Sequence, residues 1–341
     1  MNKKNWLLLF FACAIAFTSF NSCKKDNDED TGGDTGPTEW RRSVVFDGQR
    51  RSGAASFATS GSGAAAYVVG GYTSAGFVSD AFKFDGSTWA PIASFPGQSR
   101  TEAVGFSIGG KGYVGTGQSL VNGVSEDFND FWCYNPATDE WEEVAPFPGD
   151  ARYGAVAFTL GNYAYVGLGR AKQGSTDYSN FYRYNPSNNT WTPISSPFKY
   201  KKAYAFAFVI GDKAYVGGGQ DGGTNALPED FYSFDGTEWK ALNDLNRDDD
   251  SYTYDARKYA ASAFTIGNYG YVVSGRNANT VTSTVWKYDP STDSWTDKHQ
   301  ALSTDPREKA VGFSLDGKGY VTTGLNGSRY FDSTFEFTPV R

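Results

Sequence analysis

Six tryptophans, Trp40, Trp89, Trp141, Trp191, Trp239 and Trp295, recur at intervals of 49, 52, 50, 48 and 56 residues. Each interval repeats the same text. A basic residue opens an apolar run that ends in Phe, a turn follows, then a Tyr-rich run closes on glycine. A further aromatic run leads to the next Trp. The basic residues are Arg51, Arg100, Arg152, Lys202, Lys258 and Arg307. Three positions on stand Ala54, Ala103, Ala155, Ala205, Ala261 and Ala310, and six positions on Phe57, Phe106, Phe158, Phe208, Phe264 and Phe313. A period near fifty with several short strands per unit cannot bury its apolar face one unit at a time. The units must stack around a common axis.

The alternation within each unit is that of strands, whose side chains point to opposite faces at every step. Small residues at the alanine positions suit an innermost strand crowded around the axis. The second strand ends at Gly71, Gly117, Gly169, Gly219, Gly275 or Gly324. Asn-Pro, Asp-Pro or Asp-Gly then turns the third strand into the Trp-bearing fourth. The last unit stops at Phe335-Glu336-Phe337, a third strand. Trp40 to Phe46 is a fourth strand with no unit before it. Pairing the two removes both open edges. The expected fold is all-β: a six-bladed β-propeller of four-stranded antiparallel blades over residues 40–341, closed by the N-terminal strand completing the last blade.

These features resemble the kelch repeat, on the glycine pair Gly70-Gly71 and Gly218-Gly219, the preceding tyrosines and the spaced tryptophans. The other units keep only the second glycine, as in Thr116-Gly117. The resemblance implies the propeller and is nearly silent on chemistry. Kelch-type propellers include galactose oxidases and N-acetylneuraminate epimerases (sialic acid mutarotases), so it admits a carbohydrate-active enzyme.

Residues 1–22 have the layout of a signal peptide: Lys3 and Lys4, an apolar run from Trp6 to Phe17, then small and polar residues before Cys23. This resembles a bacterial lipoprotein leader of the Bacteroidota kind. The resemblance implies lipidation at Cys23 and an outer-membrane location, with exposure at the cell surface. Residues 23–39 are acidic and almost without apolar side chains, the composition of a flexible tether.

The net charge of −7 argues against nucleic acid as a partner. One histidine, His299, excludes two-His zinc and multi-His copper sites within one chain, and with them the copper site of a galactose oxidase. His299 reads as a solvated loop residue. Gly105 to Lys111 has phosphate-loop spacing but lies in a hairpin and lacks the following Ser or Thr. Asp248, Asp249 and Asp250 read as a solvated run that calcium could share. No cofactor, metal or catalytic residue is expected, and the chain reads as a monomer.

In an antiparallel blade the six basic residues and the loops after the six glycines share one face. Two ligand sites are therefore candidates there. One is a ring of Arg51, Arg100, Arg152, Lys202, Lys258 and Arg307 around the axial channel, suited to an anion, or else spent on loop carbonyls. The other is the set that differs between blades: Glu102, Gln118, Tyr153, Arg170, Tyr204, Gln220 and Arg276, with Tyr72, Tyr259, Glu308 and Leu325 beside them. The leading expectation is a lipid-anchored binding module for a glycan or protein partner, with enzymatic activity not favoured. An adhesion scaffold is one alternative. The other is an enzyme resembling the epimerases, with Glu102 or Glu308 acting as acid or base near Arg100 or Arg307.

Overall fold

The structure, a computed structural model, describes residues 39–339 apart from 172–175, 250–251 and 303–304. The leader, Cys23 and the tether up to residue 38 lie outside the described residues. Six antiparallel blades follow one another in the chain, five of them four-stranded and the first with its inner strand split into Arg51–Ser52 and Ala55–Ala58. Blade 2 is representative: Val104–Ile108, Lys111–Gly115, Phe131–Asn135 and Glu140–Val144 pair in sequence order from axis to rim. In blade 6, Glu39–Val45 supplies the outer strand, with Trp40 opposite Phe337 and Arg42 opposite Phe335. The closure expected from the two chain ends is the one observed.

The repeat residues make the core. In every blade the Phe of the first strand lies opposite the Tyr of the second, and the rings stack. Centroids are 4.6 Å apart for Phe57–Tyr67, 5.1 Å for Phe106–Tyr113 and 5.2 Å for Phe158–Tyr165. The other three pairs lie at 5.4, 5.7 and 5.2 Å. Such pairs add about 0.5–1.5 kcal/mol each to the burial of the rings. These stacks reach into the next blade, where a small residue receives them. At Gly112 a methyl group would fall inside the Phe57 ring. The tryptophans fasten the rim: Trp141 Nε1 donates to Ala93 O at 2.8 Å and Trp191 Nε1 to Ala145 O at 3.0 Å, each in the preceding blade. His299 is not solvated. It is buried between Tyr271 and Phe337, at 5.6 and 5.9 Å between ring centres.

Four loops carry short hairpins of their own. Three lie between second and third strands: Gln118–Val121 with Val124–Asp127, Arg170–Ala171 with Thr176–Asp177, and Leu325–Asn326 with Arg329–Tyr330. The fourth, Asn246–Asp249 with Tyr252–Asp255, holds the aspartate run, where Asp248 meets Thr253 and Asp249 meets Arg247. Antiparallel alternation puts all four on one face, where the first strands begin.

Candidate active site at the axial mouth

The six basic residues do not surround the channel as free charges. All are 0–3% exposed, wedged between loops. Arg51 bonds Gly70 O at 3.0 Å and Asp80, Arg100 bonds Thr116 O at 3.0 Å and Asp130, and Arg152 bonds Leu168 O at 2.9 Å and Asn180. Arg307 bonds Thr323 O at 2.9 Å, Lys258 bonds Ser274 O at 3.0 Å, and Lys202 pairs with Asp230. Those five carbonyls belong to the residues just before five of the six glycines. There two consecutive positions adopt positive φ, 60° at Thr116 and 96° at Gly117, for example. The glycine N–H then turns to the carbonyl of the next blade's basic residue: Gly71 to Arg100, Gly117 to Arg152, and so on round to Gly324 and Arg51. A methyl on Gly117 would stand 2.8 Å from Thr101 O, so this glycine recurs in all six units. The basic ring is a set of blade-to-blade fasteners. Of the two alternatives read from the sequence, the geometry gives it the loop-carbonyl role.

Two residues beyond each fastener, the chain forms a second ring. Gly53, Glu102, Gly154, Tyr204, Ala260 and Lys309 all have φ between 50° and 62°. Each N–H donates to the carbonyl of its neighbour in the preceding blade. The bonds run Glu102 to Gly53 (2.6 Å), Gly154 to Glu102, Tyr204 to Gly154, Ala260 to Tyr204, Lys309 to Ala260, and Gly53 back to Lys309 (2.8 Å). This closed hydrogen-bonded iris rims the axial channel, a cavity of about 310 Å³ lined by the six alanines and their neighbours. Its members alternate small residues with large polar ones. Glycine is the natural occupant of left-handed backbone. Glu102, Tyr204, Ala260 and Lys309 hold it at a cost that the closed ring of hydrogen bonds offsets.

The side chains of Glu102, Tyr204 and Lys309 meet. The Glu102 carboxylate is 5% exposed and accepts from Tyr204 Oη at 2.7 Å, from Gln118 Nε2 at 3.0 Å and from the Lys309 ammonium. Burial raises the Tyr204 phenol well above its ordinary pKa, and the Glu102 carboxylate raises it further, so the hydroxyl stays protonated. At Lys309 burial works against the charge, but Glu102 outweighs it and the ammonium is held above its usual range. Lys309 also lies over the Tyr204 ring at 5.0 Å. Lys309 was missed in the sequence. Its signal is positional, since it stands in register with Glu102 and Tyr204.

The other candidates from the sequence flank this centre. In each blade the residue after the fastener bridges to the residue after the glycine: Tyr153 to Arg170, Tyr259 to Arg276, Glu308 to Leu325, and Ala203 to Gln220. Arg170 grips Asp177 at 2.6 Å and lies 5.8 Å from the Tyr204 ring, and Arg276 grips Glu308 at 3.0 Å. Glu102 and Glu308 thus have Lys309 and Arg276 as cationic partners, in place of the expected Arg100 and Arg307. Among the described residues no three His, Cys, Asp or Glu side chains gather as a metal would require.

Known proteins resemble the chain in sequence over part of its length and in fold over most of it. N-acetylneuraminate epimerase of Yersinia pestis (strain Pestoides F) is 34% identical over 87 residues, 25% of this chain and 22% of that protein. The enzyme of the same name from Escherichia coli O1:K1 / APEC is 35% identical over 80 residues, 23% and 22% of the two chains. The chain thus matches less than a quarter of the length of these curated relatives. The solved structure of YjhT matches with a TM-score of 0.69 over 86% of this chain and 95% of that one, at 18% identity, a likeness of fold. The relatives matched in sequence are enzymes by name, so the expectation of a binding module without catalysis is overturned. A kelch motif model matches residues 121–148, and the KLHDC2/KLHL20/DRC7 Kelch-repeats domain matches residues 154–341, more than half of the chain. The chain belongs to the kelch-repeat family.

Proposed function

We propose that this protein is a carbohydrate-active enzyme that interconverts the anomers of a reducing sugar of the N-acetylneuraminate class, and that the reaction takes place over the iris. The observation behind this reading is the convergence of Glu102, Tyr204 and Lys309, from three alternate blades, on one mostly buried carboxylate. The names of the relatives supply the substrate class.

Anomer exchange needs only a base and an acid. Glu102 takes the proton of the anomeric hydroxyl. The bond between the anomeric carbon and the ring oxygen breaks, its electron pair goes to that oxygen, and Lys309 protonates it. The open keto form rotates and recloses by the reverse transfers, so both groups return to their starting states. Tyr204 and Gln118 orient the carboxylate, and no redox step or cofactor enters.

The test is proton NMR of N-acetylneuraminate anomer exchange with added protein. Exchange faster than buffer, and lost in Glu102→Gln, supports the assignment; a rate equal to buffer overturns it. We also propose that residues 1–22 are a lipoprotein leader and that lipidated Cys23 anchors the propeller to the outer membrane. Palmitate labelling of the full chain, lost in Cys23→Ala, tests this, and no labelling of the wild type refutes it.

A further inference from the structure

We propose that the substrate is an oligosaccharide with a free reducing end, and that Tyr72, Phe77 and Tyr330 form a second sugar subsite beside the iris. The inference rests on the carbohydrate-active reading of the Glu102–Lys309 centre.

The rim of the mouth is chemically two-sided. On the side of blades 3 to 5, the residues past the glycines are Arg170, Gln220 and Arg276, two of them in ion pairs. On the side of blades 1 and 6 the rim is aromatic. Tyr72 stands at the same register position as those polar residues, just past Gly71. It packs edge-on to Phe77 at 4.9 Å and lies 6.2 Å from Tyr330, which reaches across from blade 6. Despite these contacts Tyr72 keeps 36% of its surface exposed. Tyr252, the other strongly exposed tyrosine, is different, since its hydroxyl is spent on the Trp295 carbonyl.

The aromatic side is continuous with the catalytic centre. Lys309 follows Glu308, which bridges to Leu325, and Leu325 pairs with Tyr330 in the blade 6 hairpin; Tyr72 pairs with Ser52, the chain neighbour of Gly53 in the iris. The iris position between Lys309 and Glu102 is Gly53, which contributes no side chain, and a methyl there would strike Thr101. An aromatic surface edged by phenol hydroxyls fits a pyranose, which has an apolar C–H face and a polar rim. With the reducing-end sugar over Glu102, the next residue of the glycan lies on Tyr72.

The experiment compares anomer exchange of N-acetylneuraminate with that of its α2,8-linked dimer and trimer, by NMR, in wild type, Tyr72→Ala, Tyr330→Ala and Tyr72→Trp. The proposal expects dimer and trimer to be favoured over the monosaccharide. Tyr72→Ala should lower kcat/KM for both by about tenfold, mainly through KM, the size of one aromatic contact. It should leave the monosaccharide unchanged, and Tyr72→Trp should preserve the preference. Equal rates at all three lengths in the wild type, or an equal loss at all lengths in Tyr72→Ala, would overturn the subsite. Trimer bound in saturation-transfer NMR and released by Tyr72→Ala, but with no exchange at any length, would uphold the subsite and overturn the catalytic reading. Neither binding nor exchange with any of the three would overturn both.

Discussion

The iris suggests a perturbation that separates catalysis from stability: replacing Glu102 and Lys309 together with glycine, the residue that Gly53 and Gly154 supply at the same ring position. Two non-glycine residues leave left-handed backbone, relieving roughly 1–2 kcal/mol each. Against this stands the loss of a mostly buried charged hydrogen bond, about 1.5–3 kcal/mol, trimmed because the Lys309 side chain is 31% exposed. Each glycine also adds about 0.5–1 kcal/mol of chain entropy to be lost on folding. Removing both partners strands no charge between them, but it takes the acceptor from the Tyr204 hydroxyl and the Gln118 amide, about 1–3 kcal/mol, so the contributions sum to a net loss of about 2 kcal/mol. The melting temperature of the double variant should therefore stay within roughly 5 °C of wild type. Anomer exchange should fall by about 10²-fold or more, the usual weight of a positioned acid or base. Calorimetry and NMR exchange on one preparation check both halves. A melting temperature lowered by more than about 10 °C would show that the pair holds the propeller together, and would refute the assignment of the pair to chemistry rather than to the scaffold.

Deleting residues 39–46 removes the outer strand of blade 6 and Phe46, which is 2% exposed against Phe82 and Trp89. The loss of that one ring alone is worth about 3–5 kcal/mol. Thermal unfolding should drop sharply, and an unchanged midpoint would refute closure. Gly112→Ala drives a methyl into the Phe57 ring and should cost about 1–3 kcal/mol in urea unfolding, whereas alanine at the open position Gly61, also left-handed, should cost only the backbone strain of about 1–2 kcal/mol. Lys258 is pushed down to about 7 by burial, only partly countered by Asp297. Between pH 7 and about 10 the unfolded chain then binds the extra proton, so the stability of wild type relative to Lys258→Met should rise across that window. The slope is at most about 1.4 kcal/mol per pH unit, and a flat difference across it would refute the shifted lysine.

The blade was legible because it is written six times. Ala103, Phe106, Tyr113, Gly117 and Trp141 have counterparts in every unit, or nearly so, and each proves to be packing, turn or fastener. The closing strand was legible from an unmatched Trp40 and an unmatched Phe337. The iris was not. Its members, Gly, Glu, Gly, Tyr, Ala and Lys, share no side-chain property. What they share is a positive φ and one hydrogen bond to the neighbouring blade, which only the closed ring reveals. Lys309 was overlooked for that reason. His299 was misplaced because its cover comes from Phe337 at the far end of the chain.

The same geometry explains why these three residues were not read together. Glu102, Tyr204 and Lys309 stand about a hundred residues apart, in alternate blades, so no local motif can join them. A propeller brings such residues together because every blade begins its first strand at the same end of the same axis. Side chains repeated in all blades spend their polar atoms on the scaffold, as Arg100 does on Thr116 O and Asp130. A position constrained only in its backbone leaves the side chain free to vary. The iris has that freedom and faces the mouth of the channel, which makes it the place in this fold where three unlike groups can be combined without disturbing the repeat.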